Sequence, residues 1–399
     1  MKKVYQVIMF LLTGIIIVQA CTKLQPAAPA DDEILDGPVE GLGYDQNRRF
    51  LAGDIAFNDE IFTSQTGLGS VFVATSCGSC HAGDGKGHPF TTLTRFGQTD
   101  STGNQFLHLG GPQLQNRALP GFTPEQIPAG ASFSKFTPPA NTGLGFLELV
   151  SDADILAMAD PNDINGDGIS GVPNWIALPS FIAPNANSIS QNGRYIHRFG
   201  KKAAAFNLLH QTVNAYNQDI GITSSFAPKD VYSGLDIDPE ISDLTVHNVV
   251  FYLQTLKAPV QRNQNDNEVL LGKNMFIQAG CESCHKQTLK TGFSIIEPLS
   301  NKIFHPYTDM LLHDMGPGLD DGYTEGNAKT FEWRTPPLWG LGLSPNSQGG
   351  QYFLMHDGRA KSIEEAILLH GGEASASRNK FTLLAASEKN ALLKFLKSL

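Results

Sequence analysis

Three stretches carry apolar residues at helical spacing. Val246, Val249, Val250, Leu253 and Leu256 recur every three or four positions, Ser242 or Asp243 can cap the start, and Pro259 ends the run. A second run, from about Val269 to Ala279, stops at Gly280. A third, from about Ser387, places Leu392, Phe395, Leu396 and Leu399 on one face. The first and third close alike, as Tyr252-Leu253-Gln254-Thr255-Leu256 and Phe395-Leu396-Lys397-Ser398-Leu399, with the polar Gln261 to Glu268 as a linker between the halves. Ser362 and Glu365 form a capping box for a further helix ending at Gly371-Gly372, in which Ile363, Ala366, Ile367 and His370 share the buried face. Between about Pro89 and Asp238 few segments are periodic, although Arg198 to Ala203 reads as the start of a helix. Gly 40 and Pro 23 predict long ordered loops there.

The chemistry is concentrated in two copies of C-x-x-C-H, Cys77-Gly78-Ser79-Cys80-His81 and Cys281-Glu282-Ser283-Cys284-His285. This pattern attaches a c-type haem, with two thioethers to the vinyl groups and a histidine to the iron. A zinc ribbon also pairs C-x-x-C units, but about 15–20 residues apart, whereas these are separated by most of the chain. A thioredoxin-like dithiol needs neither the histidine nor a second copy. Two covalent c-type haems are therefore expected, on Cys77, Cys80, Cys281 and Cys284, with His81 and His285 as proximal iron ligands. Both copies read F-x-x-x-x-C-x-S-C-H, from Phe72 and Phe276, and Gly272 precedes the second Phe by four residues as in the entry helix of a cytochrome c domain. The expected fold is mainly α: two cytochrome-c-like domains, at 46–260 and 265–399, the first with a large loop-rich insertion.

Lys2-Lys3 and the apolar run Val7 to Val18 read as a secretory signal over 1–20. The run ends Val18-Gln19-Ala20-Cys21, which resembles a bacterial lipobox. Cys21, the only cysteine outside the haem motifs, is then the lipidated N-terminus of a tether over 21–45. The expected location is the cell envelope, periplasm or outer surface, with membrane attachment through the lipid. The formal charge of −10, or −12 without Lys2 and Lys3, argues against nucleic acid and fits a small redox protein or cytochrome as electron donor.

Asp163-Ile164-Asn165-Gly166-Asp167-Gly168 matches the first half of a calcium loop, with Ile169 able to offer a carbonyl. Asn174 stands where an EF-hand has its bidentate Glu. Bound calcium and an Asx-rich turn are equal readings of these residues. The sixth iron position decides whether a haem stores electrons or reacts. For the second haem His370 is the candidate and Met355 the runner-up. For the first, His88, His108 and Met158 are weaker candidates. If none binds, the open iron is the peroxide site, and Glu148 is the candidate acid-base group. Trp333 or Trp339 is a candidate bridge between the haems.

The C-terminal part resembles the bacterial di-haem cytochrome c peroxidase superfamily, through Thr335-Pro336-Pro337-Leu338 and His356-Asp357-Gly358 through Glu364-Glu365. In that superfamily a distal ligand follows the H-D-G histidine by about fourteen residues, which falls on His370. Nearly the whole mature chain is similar to di-haem oxidoreductases often labelled thiol oxidoreductases. The matching stretches include Gly110 to Gln115, Gly143 to Glu148, Asn165 to Gly171, His313 to Leu319 and Trp333 to Gly340. The resemblance implies a peroxidase-like enzyme passing electrons from the C-terminal to the N-terminal haem, with peroxide or another oxidant as substrate. A non-enzymatic electron-transfer cytochrome and an oxidant of a partner protein are the alternatives.

Overall fold

Two helix pairs organise the chain. Helix α1 (Tyr44–Asp54) runs into a π-helical turn (Ile55–Asp59) and packs on α5 (Asp243–Thr255). Helix α6 (Asn267–Gln278) packs on α10 (Ala386–Ser398) in the same way. The caps explain the boundaries. Ser242 accepts from Thr245 N at the start of α5, Asp266 accepts from Glu268 N and Val269 N at the start of α6, and Gly280 takes the left-handed conformation (φ 82°) that ends it.

A glycine sits at each crossing. A Cβ on Gly53 would lie 2.1 Å from Asn248 O and 2.6 Å from Tyr252 Cβ; one on Gly272 would lie 1.9 Å from Ala391 O and 2.7 Å from Phe395 Cβ. The two aromatics met there, Tyr252 and Phe395, are the ones whose surrounding sequence repeats. The rest of the repeat differs from the sequence expectation. Phe276 is 5.5 Å from Phe395 and 6.4 Å from the His285 ring, and its counterpart is Phe57, 5.5 Å from Tyr252 and 5.9 Å from the His81 ring. Gly53-x-x-x-Phe57 thus parallels Gly272-x-x-x-Phe276. Phe72 belongs to a short strand instead.

The structure, a computed structural model, describes residues 30–98 and 103–399. The leader over 1–20 and Cys21 lie outside the described residues. Met1–Ile34 and Leu35–Leu399 are separate units, and every element named above belongs to the second. The architecture of this second unit is mixed rather than mainly α, because the stretch between the two helices of each pair carries small antiparallel sheets. Strand β1 (Val71–Phe72) pairs β3 (Arg117–Ala118), β2 (Leu93–Phe96) pairs β4 (Phe133–Phe136), and β7 (Arg194–His197) lies between β5 (Asn174–Ala177) and β6 (Ser190–Gln191). Beyond the second motif β8 (Leu289–Lys290) pairs β9 (Ile303–Phe304), and β10 (Leu312–Asp314) pairs β11 (Glu332–Arg334). The short helices are α2 (Leu144–Glu148), α3 (Asp152–Met158), α4 (Leu208–Asn214), α7 (Ser344–Ser347), α8 (Ile363–Leu369) and α9 (Ser375–Leu383). Arg198 to Ala203 is a turn, not a helix: Phe199 bridges Ala205, Ala203 has φ 51°, and helix begins only after the Asn207 cap.

Two large apolar clusters and two small ones fill the interior, and the large ones pack the helix pairs. One surrounds α1, α4 and α5; the other surrounds α6, α8, α9 and α10. The first also takes Leu289, Ile296, Leu299, Phe304, Met310 and Leu311 from beyond the linker. Among the described residues no helix is long and apolar enough to cross a membrane.

Candidate functional site

Both cysteine motifs open onto one continuous cavity, whose wall includes Cys77, Cys80, His81, Cys281, Cys284 and His285. Each motif is a tight turn, closed by His81 N donating to Cys77 O (3.1 Å) and His285 N to Cys281 O (3.0 Å). Gly78 lets the π-turn approach, donating to Phe57 O at 3.0 Å where a Cβ would press on Asn58 O. The four thiols are free, and burial pushes Cys77 and Cys281 up to about 12.

The two histidines are arranged alike. His81 Nδ1 meets Pro139 O at 3.0 Å, and His285 Nδ1 meets Tyr307 O at 2.9 Å. A carbonyl only accepts, so Nδ1 carries the proton and Nε2 presents its lone pair. Burial pushes both down to about 4, so the rings are neutral, the form that ligates iron.

His370 also lines the cavity, with Nδ1 donating to Ala366 O at 2.7 Å and Nε2 left over. It caps the end of α8 instead of lying inside the helix. Burial lowers it too, and Ala366 and Ile367 of the same helix pack on the apolar cluster that Cys281 also meets, which puts it beside the second motif. The candidates for the first iron do not reach the cavity wall. His88 packs between Phe90 and Phe353, His108 is exposed, and Met158 packs against the first apolar cluster. Met355 does line the cavity.

Glu148 faces away from the cavity. Its Oε1 accepts from Leu208 N and its Oε2 from Gln254 Nε2, each at 2.7 Å, so it ties the start of α4 to α5. Leu147 beside it faces the cavity instead. The carboxyls that do line the cavity are Asp219, Glu325 and Glu373, all missed from the sequence. Asp219 ends the π-turn after α4 and is pushed up to about 7 by burial, against the lowering effect of Arg95. Glu325 is ion-paired with Arg95 and accepts from Tyr323 OH at 3.3 Å. Tyr216 and Thr212 line the same wall, and their buried hydroxyls have no partner among the described residues.

Near the second motif His313 is clamped between Asp309 Oδ2 (2.8 Å at Nε2) and Glu373 Oε2 (2.6 Å at Nδ1), 3.6 Å from Cys284 Sγ. The carboxylates hold it well above the usual imidazole range despite burial, so it is an imidazolium. Ser170, at the end of the aspartate-rich loop, hydrogen-bonds Glu373. The loop itself uses its acceptors on its own backbone: Asp163 takes Gly168 N, Asn165 takes Asp167 N, and Asp167 takes Ile169 N. That is the Asx-turn arrangement.

Trp333 lines the cavity with His356 stacked on it at 3.7 Å and Lys202 Nζ 3.8 Å from its ring centre. Trp339 lines it too, against Phe304 at 5.8 Å.

Paired cysteines with free thiols, neutral histidines with free Nε2 atoms and a largely apolar cavity whose wall includes Lys86, Lys201 and Arg334 fit covalent haem at both motifs. Fold and site together define a c-type di-haem protein. Residues 135–399 match the family model described as "Di-haem oxidoreductase, putative peroxidase", and the chain belongs to that family. No curated protein matches the chain. Among solved structures it is similar to hydrazine synthase from Kuenenia stuttgartiensis (13% identity, TM-score 0.39, covering 94% of this chain and 95% of that one). It is also similar to a MauG-like protein associated with microbial copper homeostasis (14%, 0.41, 94% of each chain). A third is the diheme peroxidase BthA from Burkholderia thailandensis E264 (15%, 0.40, 88% of this chain and 86% of that one).

Proposed function

We propose that the protein is an exported, lipid-anchored, peroxidase-like di-haem oxidoreductase. It contains two cytochrome-c-like units, over 46–260 with its insertion and over 265–399. Electrons from a small redox protein or cytochrome enter at the C-terminal haem and pass to the N-terminal one, where peroxide or another oxidant is reduced. The observation that carries this reading is the asymmetry of the cavity. His370 offers a free Nε2 beside the His285 site, while His88, His108 and Met158 stay off the wall near His81. An imidazole pair makes an electron-holding centre, and an iron without a protein partner opposite its histidine is free to react.

The haems supply the redox chemistry when bound. The chain's own residues do the rest. His81 and His285 hold the irons through Nε2, oriented by the carbonyls of Pro139 and Tyr307. Asp219, whose carboxyl burial pushes up to about 7, is placed to hold or release a proton beside the first motif, the role that the sequence suggests for Glu148. Apolar walls around both motifs exclude water. Trp333 occupies the wall common to both sites. Lipidation of Cys21 supplies the anchor, and Asp163, Asn165, Asp167 and the Ile169 carbonyl remain the place to look for calcium.

The test is spectroscopic. Ferric and half-reduced protein should show one high-spin and one low-spin haem, and peroxide should be turned over with a reduced cytochrome. Two low-spin haems in both states, without turnover, would leave the electron-transfer cytochrome as the better reading. His370→Gly should convert one haem alone to high spin; an unchanged spectrum removes His370 as a ligand.

A further inference from the structure

Five lysine and arginine side chains line the cavity: Arg95 is ion-paired with Glu325 and Arg378 donates to His370 O, and the other three come from separate parts of the chain. Lys86 follows the first motif by five residues, Lys201 lies in the turn before α4, and Arg334 ends β11 in the second half. The backbone holds them together: Arg334 N donates to Lys201 O at 3.0 Å and Arg334 Nε to Gly200 O at 2.9 Å. Lys86 is fixed by Ser347 Oγ donating to its carbonyl (2.8 Å) and by Gly87 N donating to Pro138 O (3.0 Å), next to the Pro139 carbonyl that orients His81.

None of the three is paired with a carboxylate among the described residues. Lys201 Nζ reaches only Thr137 Oγ1, at 3.4 Å, and Arg334 Nη1 only Thr335 O, at 3.3 Å. Two acidic groups act on the cluster, Asp357 on Lys201 and Asp309 on Arg334. Both are committed elsewhere, Asp357 to Arg359 Nε (2.8 Å) and Asp309 to His313 Nε2 (2.8 Å). Lys86 and Arg334 repel Lys201, and burial and this repulsion push Lys201 down to about 7; burial alone pushes Lys86 to about 8. Like charges gathered on an enclosed wall without counter-ions are costly unless an anion arrives with the occupant of the cavity.

We propose that Lys86, Lys201 and Arg334 form one shared cation site for the carboxylates of both haems, so that the charge on Lys201 sets the two haem potentials together. The inference rests on the di-haem reading. Each haem carries two propionates, and carboxylates from either motif would meet the same three cations, which come from both halves of the chain. A positive charge lost from the site favours the ferric form of any haem within its field.

The experiment is a potentiometric titration of the haem-loaded protein, with haem stoichiometry measured separately as the pyridine haemochrome. Lys201→Gln should lower both midpoint potentials, each by roughly a tenfold shift in the oxidised-to-reduced ratio at fixed potential, about 59 mV for one electron. Lys86→Gln should act in the same direction, Lys201→Arg should restore both potentials, and Lys302→Gln, a half-buried control off the cavity wall, should move neither. A Lys201→Gln protein with two haems in which one potential or none moves overturns the shared site. If Lys201→Gln does not mature, Lys86→Gln and Lys201→Arg decide by the same criterion. Wild-type potentials should not respond to inorganic phosphate at constant ionic strength; a response would show that a soluble anion, not the propionates, occupies the cluster. Wild-type protein without two haems would instead overturn the di-haem reading.

Discussion

Replacing Gly272 by Ala tests the packing that holds the second haem motif. The added Cβ would lie 1.9 Å from Ala391 O, about 1.5 Å short of ordinary contact, and the obstacle is backbone that cannot rotate away. Helices α6 and α10 must therefore part. Val269, Phe276, Leu392, Phe395 and Leu396 are buried across this contact, and each contributes about 1.5–3 kcal/mol by burial. A gap of 0.5–1 Å forfeits about a quarter to a half of contact energy, so a quarter of this total is a loss of roughly 2–4 kcal/mol. Alanine returns about 1 kcal/mol of helix propensity, leaving a net destabilisation of about 1–3 kcal/mol. Gly318→Ala is the control, since its Cβ would meet nothing within 4 Å at an ordinary φ. The assay is guanidinium unfolding of the haem-loaded protein, followed by far-UV circular dichroism and the Soret band. A Gly272→Ala change within about 0.5 kcal/mol of wild type, indistinguishable from the control, would refute the reasoning.

Asp84 links stability to pH. Burial raises its carboxyl in the folded state to about 7, against 3.8 for the free group, and Tyr252 OH donates to it at 2.7 Å. The folded state keeps a proton that the unfolded chain releases, so this contribution falls as pH rises from about 4 to about 7 and is flat above that. Asp219 acts in the same sense. Asp84→Asn should therefore remove roughly half of that slope, read as unfolding midpoints across the window; an unchanged slope would exclude Asp84 as its source. Glu148→Ala should cost about 2–4 kcal/mol by stranding Leu208 N and Gln254 Nε2, while the rate of haem oxidation by peroxide is retained in protein that remains folded. Loss of that rate with unchanged stability would return Glu148 to the chemistry.

What could be read from the sequence was whatever depends on local spacing. The capping residues and apolar periods of α5, α6, α8 and α10 are local, and the structure places these helices close to where the pattern puts them. The haem motifs are local too. The first entry helix was missed because twenty residues separate Phe57 from Cys77, against five between Phe276 and Cys281. That insertion broke the fixed offset, and Phe72 happened to satisfy it. Lys86, Lys201 and Arg334 had no shared signal, since only the folded chain brings their segments together. Glu148 illustrates the converse: an apolar run beside a carboxylate does not say which of two neighbouring residues faces the cavity, and Leu147 does.

The segment between the helix pairs reads as a polar linker in sequence, but packing argues that the halves do not move independently about it. Leu289, Ile296, Leu299, Phe304, Met310 and Leu311 cross from the second half into the first core, most of them almost fully buried. At about 1.5–3 kcal/mol each their burial amounts to roughly 9–18 kcal/mol, before the entropy lost when two free chains associate. Arg262 N also donates to Ser398 O at 2.8 Å, pinning the linker to the end of α10. A protease site inserted at the exposed Asn263–Asn265 should therefore give two fragments that elute together in native size-exclusion chromatography and separate only in denaturant. Fragments that part under native conditions would mean that the shared core is weaker than its burial implies. Fragments that stay together would mean that the spacing of the two haem motifs is fixed by packing. The electron transfer proposed between them would then depend on the side chains lining the common wall, not on a domain movement.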